Sequence, residues 1–263
     1  MTDEKKTVLI TGSNRGIGLE FVRQYSHARF NVIATCRNPS KAEDLQLLSK
    51  ERENISIQSL DITNEKSINA LYLRLENKPI DILINNAAFL GSPESQRFGE
   101  IDYEIFKRSF EVNTVGPIRI TEKLIKNIHR GSDKKVIFMG SAAGSISTIA
   151  PPVTLYSYRS SKAALHLAVH NLFHQLKEEN ILVSLINPGL VDTRGFLDLN
   201  LEEPITKKFT AMVPETFFQM LRDGRYKMIT THESVKNMIN YIDDLSVESE
   251  SFFVNNDGTP MPW

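Results

Sequence analysis

A chain of 263 residues with 41% hydrophobic side chains is long enough to bury the core of one α/β domain. Its 31 basic and 32 acidic residues nearly cancel, which argues against a nucleic-acid surface and against an acidic disordered tail. Met1–Lys6 is polar rather than signal-like, and no run reaches about 18 apolar residues, so neither secretion nor a membrane span is expected. A single cysteine, Cys36, rules out an intrachain disulfide, and a cytoplasmic protein is the expectation.

In chain order, Thr7–Thr11 reads as a buried strand and Gly16–His27 as a helix. A strand is expected at Asn31–Cys36, and a helix at Pro39–Lys50 with Asn38 or Ser40 near its cap. A third strand is expected at Ile55–Leu60, followed by a helix over Asn64–Leu75 capped by Thr63 or Asn64. A fourth strand covers Ile80–Asn85, and Ile101–Ile128 holds one long helix or two abutting ones. A fifth strand spans Lys135–Gly140, and Tyr156–Glu179 is helical, with Leu165, Val169, Leu172 and Leu176 on one face. Ile181–Ile186, Ser234–Leu245 and Phe252–Asn255 complete the series as strand, helix and strand. Alternation of this kind, with nearly continuous apolar strands, predicts one doubly wound, mostly parallel sheet of about seven strands with helices on both faces. Ligands bind outside the carboxyl ends of such strands, so the residues there carry the functional argument.

Strand one runs into a glycine loop, Thr11-Gly12-Ser13-Asn14-Arg15-Gly16-Ile17-Gly18. Glycines admit a phosphate close to the backbone, and the following helix offers free N–H groups. The spacing G-x-x-x-G-x-G also suits a plain strand–helix turn. Strand two ends in Cys36-Arg37, where an acidic residue would meet the ribose hydroxyls of NAD and an arginine suits a 2′-phosphate. Arg15 can reach the same place; each arginine alone reads equally as surface charge. Asp61-Ile62 ends strand three, where the carboxylate could accept from an adenine amine or serve a helix cap. Strand four ends in Asn85-Asn86-Ala87-Ala88, a structural motif that leaves room for a flat ligand.

The most specific set comes later. Ser141 follows strand five, and Tyr158 and Lys162 lie four residues apart on one helix face. Tyr156 is about 240° away from Lys162 around the helix and points elsewhere. A phenol titrates near pH 10, and a neighbouring ammonium is expected to lower that by roughly 1–3 units, while the serine holds a carbonyl oxygen.

With these residues in hand, the chain resembles the short-chain dehydrogenase/reductase family. The loop at Thr11–Gly18, Asn85–Ala87, Asn113, Ser141, Tyr158–Lys162 and Pro188-Gly189 occur in the family's order, and the ending Phe252–Trp263 is similar to the sniffer and C-factor group of carbonyl reductases. The resemblance implies an NADPH-dependent carbonyl reductase. Tyr158 would be the general acid, Lys162 would lower its pKa and bind the nicotinamide ribose, Ser141 would orient the carbonyl, and Asn113 would hold a relay water. It implies a cofactor site at Gly12, Ser13, Asn14, Arg15, Gly16, Ile17, Gly18, Arg37, Asp61, Ile62, Asn86, Ala87, Ala88, Tyr158, Lys162, Pro188, Gly189, Val191 and Thr193. An oxidative alcohol or steroid dehydrogenase and a dinucleotide-sensing regulatory protein are the competing readings; the intact Ser–Tyr–Lys set speaks against the latter.

Residues 1–263 are expected to form a single domain, with 189–231 as a substrate lid, since this stretch is longer than an ordinary connection and mixes apolar with charged groups. The cluster Phe196, Phe209, Met212, Phe217, Phe218 and Met220 reads equally as core or as substrate lining. No metal is expected. His166, His170 and His174 recur at four-residue spacing, but they border the apolar helix face and read as a flank or a subunit interface. The partner is a small carbonyl compound, with neither nucleic acid nor membrane, and a homodimer through the two long helices is open.

Overall fold

In a computed structural model of the chain, residues 5–28, 30–149, 154–193, 223–224, 227–249 and 251–263 are described. Seven parallel strands form the main sheet in the order β3-β2-β1-β4-β5-β6-β9. They are β1 (Thr7–Thr11), β2 (Asn31–Cys36), β3 (Ile55–Ser59), β4 (Ile82–Asn85), β5 (Lys135–Met139), β6 (Leu182–Asn187) and β9 (Phe253–Asn255). The order reverses between β1 and β4, the place where a doubly wound sheet opens a crevice for a ligand.

Alternate residues of each strand feed two cores, as the two-residue period of a strand requires. On β1, Val8 and Ile10 face one side and Leu9 the other. The first core is closed by α1 (Gly16–His27), α2 (Glu43–Glu51) and α7 (Thr231–Asp244), through Phe21, Leu45 and Met238 among others. The second lies under α3 (Glu65–Leu75), α5 (Gly116–Arg130) and α6 (Tyr156–Lys177), through Leu71, Leu124 and Val169. The expected fold is the observed one.

Several expectations need correction. Pro39–Lys41 is a separate 3₁₀ turn ahead of α2, because proline at the first position favours a start that Ala42 then interrupts. Of the two caps expected for α3, Asn64 is the one used, accepting from Ser67 N at 3.0 Å. Ile101–Ile128, expected as one long helix or two abutting ones, is helical from Tyr103 on but passes through a π turn. It holds α4 (Tyr103–Phe110), one π turn at Glu111–Val115, and α5, with Asp102 capping α4. The π turn surrounds Asn113, whose buried side chain has partners outside the helix. A small parallel pair, β7 (Leu190–Asp192) with β8 (Met228–Thr230), was not expected, since strands of three residues leave no readable period. It ties together the two ends of the 189–231 stretch; most of that stretch, and the whole aromatic and methionine cluster, lie outside the described residues.

Candidate active site

The glycine loop is shaped by packing as tight as its glycines suggest. Gly12 has φ +70°, and a Cβ there would fall 2.8 Å from Ala87 Cα. A Cβ on Gly18 would lie 2.2 Å from the Gly12 carbonyl oxygen and 2.6 Å from Asn86 Nδ2. Asn86 fastens the loop to β4, donating to the carbonyls of Thr11 at 2.9 Å and Gly12 at 3.1 Å. Thr11 Oγ1 accepts in return from the amides of Asn86 and Ala87, both at 3.0 Å. Ser13, also in the expected cofactor set, turns its side chain into the fold. It is fully buried, its amide donates to Thr35 O and its hydroxyl to Ile10 O, each at 2.9 Å, and so it shapes the loop from behind.

In front of the loop lies a cavity of about 320 Å³ along the carboxyl ends of β1 to β4. Gly12, Asn14, Arg15, Gly16, Ile17, Gly18, Arg37, Asp61, Ile62, Asn86, Ala87, Ala88 and Thr193 all line it, so most of the cofactor residues expected from sequence converge. Both arginines are exposed at its rim. Asp61 has a split role: its Oδ1 accepts from Thr63 N at 2.9 Å and Thr63 Oγ1 at 2.7 Å. Burial raises its pKa, but these bonds and the fields of Arg108 and Arg37 outweigh that and hold it below the ordinary carboxylate range. Arg108, from α4, also lines the cavity and was not foreseen. Nothing in its local sequence distinguishes it from the other charges of an amphipathic helix.

The second half of the site is carried by β5, β6 and α6. Ser141 follows β5, and its hydroxyl accepts from Ala143 N at 3.1 Å. Lys162, 3% exposed, donates from Nζ to Met139 O at 2.7 Å and lies 5.9 Å from the centre of the Tyr158 ring. Burial lowers its pKa to about 8. The expected depression of the phenol pKa is not what this arrangement produces. Desolvation pushes Tyr158 above the ordinary phenol value, and the nearby Ser141 hydroxyl offsets part of that rise. The Lys162 ammonium is turned toward a backbone carbonyl and does not contact the phenol oxygen. Tyr156, as expected, points away and packs on Phe98 with ring centres 6.3 Å apart.

Asn113 is fully buried, exchanges bonds with the backbone of Phe89 (2.7 and 2.8 Å) and donates to Ser161 Oγ at 2.9 Å. Its side chain is thus committed to protein partners. Pro188 and Gly189 leave β6 in a turn with Gly189 at φ +84°. Ser234 Oγ (2.7 Å) and Asn256 Nδ2 (3.0 Å) both donate to Pro188 O. Val191 sits in β7, and Thr193 comes back to the loop, its Cγ2 being 3.3 Å from where a Gly16 Cβ would stand.

His166 departs from the expected helix flank. It is 1% exposed, because Phe253 of β9 packs on it, the tilted rings 4.5 Å apart, and the turn after Ser141 covers it. Its Nε2 accepts from Ser141 N at 3.4 Å, and Nδ1 has no partner among the described residues. Burial, with Lys162 nearby, lowers its pKa to about 3. His170 and His174 do lie on the flank, 3.1 Å apart through their Nε2 atoms. No group of three or more metal-ligating side chains occurs among the described residues, and no helix there is long and apolar enough to cross a membrane.

Comparison with known proteins agrees with this geometry. Residues 6–203 match the family model of the short-chain dehydrogenases. An uncharacterised oxidoreductase of Schizosaccharomyces pombe is 29% identical over 97% of this chain and 96% of its own length. The NADPH-bound carbonyl reductase from chicken fatty liver superposes with a TM-score of 0.79 at 26% identity, covering 98% of this chain and 99% of its own. The carbonyl reductase Sniffer of Drosophila melanogaster gives a TM-score of 0.75 at 25% identity, over 99% and 100% of the two chains. A reversed parallel sheet, a glycine loop pinned by Asn86, and a serine–tyrosine pair beside a buried lysine thus coincide with a match over most of the sequence, and the chain belongs to the short-chain dehydrogenase/reductase family of oxidoreductases.

Proposed function

We propose that the protein is an NADPH-dependent carbonyl reductase that converts a ketone, aldehyde or quinone to the alcohol. The observation that carries this reading is the convergence of Ser141, Tyr158 and the buried Lys162, whose Nζ lies 5.9 Å from the centre of the Tyr158 ring and donates to Met139 O just ahead of Ser141. The NADPH-bound chicken enzyme of the same fold supports the cofactor, and so do the two exposed arginines at the cavity rim, Arg15 and Arg37, with no carboxylate at the end of β2. Glycines that bring the loop backbone to the cavity wall, where any Cβ on Gly12 or Gly18 would collide, suit a pyrophosphate lying against it.

Bound NADPH would supply a hydride to the carbonyl carbon. The protein's part is to place and protonate the oxygen. The Ser141 hydroxyl would hold it, and the Tyr158 phenol, kept protonated by burial, would donate to it as general acid. Lys162, still largely protonated near neutral pH, would favour the phenolate left after that donation. Pro188, Gly189, Val191 and Thr193 would border the nicotinamide end. On sequence position alone, 189–231 is assigned as the substrate lid of a single-domain enzyme.

NADPH oxidation followed against a panel of ketones, aldehydes and quinones tests the reading. Tyr158→Phe should fold, bind NADPH and lose turnover by about 100-fold or more, in keeping with the contribution of general acid catalysis. Tyr156→Phe should keep substantial activity, and the opposite ranking refutes the assignment.

A further inference from the structure

The catalytic helix lacks a cap of its own. Leu155, the residue before α6, has φ +62°, and its side chain accepts no hydrogen bond. The first amides of a helix have no partner within it, and Tyr158 is the third residue of α6. Its amide is instead satisfied from a distant part of the chain: Gln96 Oε1 accepts from Tyr158 N at 2.9 Å. Gln96 is wholly buried. Its other end is equally engaged, Nε2 donating to Leu90 O at 2.6 Å and Ser92 O at 3.2 Å. Gly91, at φ +74°, allows the loop to wrap this amide, since a Cβ there would sit 3.0 Å from Gln96 Nε2 and 2.8 Å from Ile105 Cγ2. Two residues on, Phe98 packs on Tyr156.

We infer that Gln96 is a positioning residue for the proton donor. It caps the helix at Tyr158 itself and locks that cap to the loop leading out of the cofactor cavity. This rests on the reading of Tyr158 as general acid. A glutamine suits the place because one side chain must accept from an amide and donate to two carbonyls without charge. No local pattern announces the role: the acceptor and the amide are 62 residues apart.

The test compares Q96L, which removes the acceptor and both donors, with Q96E, which keeps the oxygen facing Tyr158. Amide exchange at Tyr158 is read by NMR on the full chain, free and with NADPH, alongside NADPH affinity by fluorescence and the pH profile of kcat. Q96L should speed Tyr158 exchange at least tenfold and lower kcat at least tenfold. NADPH affinity should stay within threefold, and the alkaline limb of kcat should move. Q96E, which keeps the acceptor but loses both donors, should keep the Tyr158 protection. Unaltered Tyr158 exchange in folded Q96L overturns the inference. So does a folded Q96E protein whose Tyr158 amide exchanges at least tenfold faster than in wild type, and that result needs no folded Q96L. Wild-type protein that turns over no carbonyl would refute the proposed function, whereas the exchange measurement would still decide whether Gln96 caps the helix.

Discussion

His166 makes the acid side of the stability curve predictable. In the unfolded chain a histidine titrates near 6.5; in the fold the ring is buried against Phe253, and its pKa falls to about 3. A group with a depressed folded pKa contributes stability that is fully present above the unfolded value. That contribution is lost as pH falls toward the folded one. Here the window runs from about 6.5 down to about 3. Integrating the linkage relation with these two values gives a loss of about 2 kcal/mol between pH 7 and pH 5, rising toward about 5 kcal/mol below pH 3. The assay is urea unfolding at pH 7, 6 and 5 for wild type and His166→Gln. The glutamine can still accept from Ser141 N but cannot titrate, so the carboxylates common to both proteins cancel in the comparison. His166→Gln should be less stable than wild type at pH 7, or similar to it, and should lose about 2 kcal/mol less on going to pH 5. Parallel curves for the two proteins, or an imidazole signal of His166 titrating near 6.5, would refute the reasoning.

Other consequences are equally direct. Arg37→Asp should weaken NADPH at least tenfold while sparing NADH, because a charge-assisted bond to phosphate contributes about 1.5–3 kcal/mol; equal wild-type affinities for the two cofactors would show the rim arginines to be surface charge. Gly18→Ala places a methyl 2.2 Å from a backbone oxygen that has no room to move, so a destabilisation of about 1–3 kcal/mol and loss of NADPH binding are expected in thermal melts and titrations; an unshifted melt would contradict the packing of the loop. Ser145 Oγ and Ser147 Oγ donate to the carbonyls of Pro262 and Trp263, each at 2.7 Å, clasping the tail to the turn after Ser141. Replacing both serines with alanine should increase acrylamide quenching of Trp263, the single tryptophan, and unchanged quenching would show that the clasp is weak.

How far the sequence reaches depends on the range of the interactions. The strand–helix alternation, the glycine loop and the Tyr158–Lys162 pair were legible because each is set by neighbours a few residues away. Period and spacing are properties of the chain itself. Ser141 could be paired with them only by assuming that strand five and the Tyr158–Lys162 helix are neighbours; the turn after β5 packs on α6, and Lys162 Nζ reaches Met139 O. Most of the residues proposed for the cofactor line one cavity for the same reason: they sit at strand ends, and strand ends of a parallel sheet share one edge. Sequence failed where a side chain's direction or surroundings came from elsewhere. Ser13 lies within the loop yet turns inward to Thr35 and Ile10. Lys162 has the right spacing for the phenol but donates its hydrogen bond to Met139 O, an acceptor that only the packing of α6 against the end of β5 supplies. His166 sits at the border of its helix's apolar face, and only β9 and the turn after Ser141, folded over it, make it a buried neutral base. Arg108 and Gln96 carried no signal at all. Each gains its role from packing across the sheet's carboxyl edge, between segments far apart in the chain, and no periodicity records such a contact.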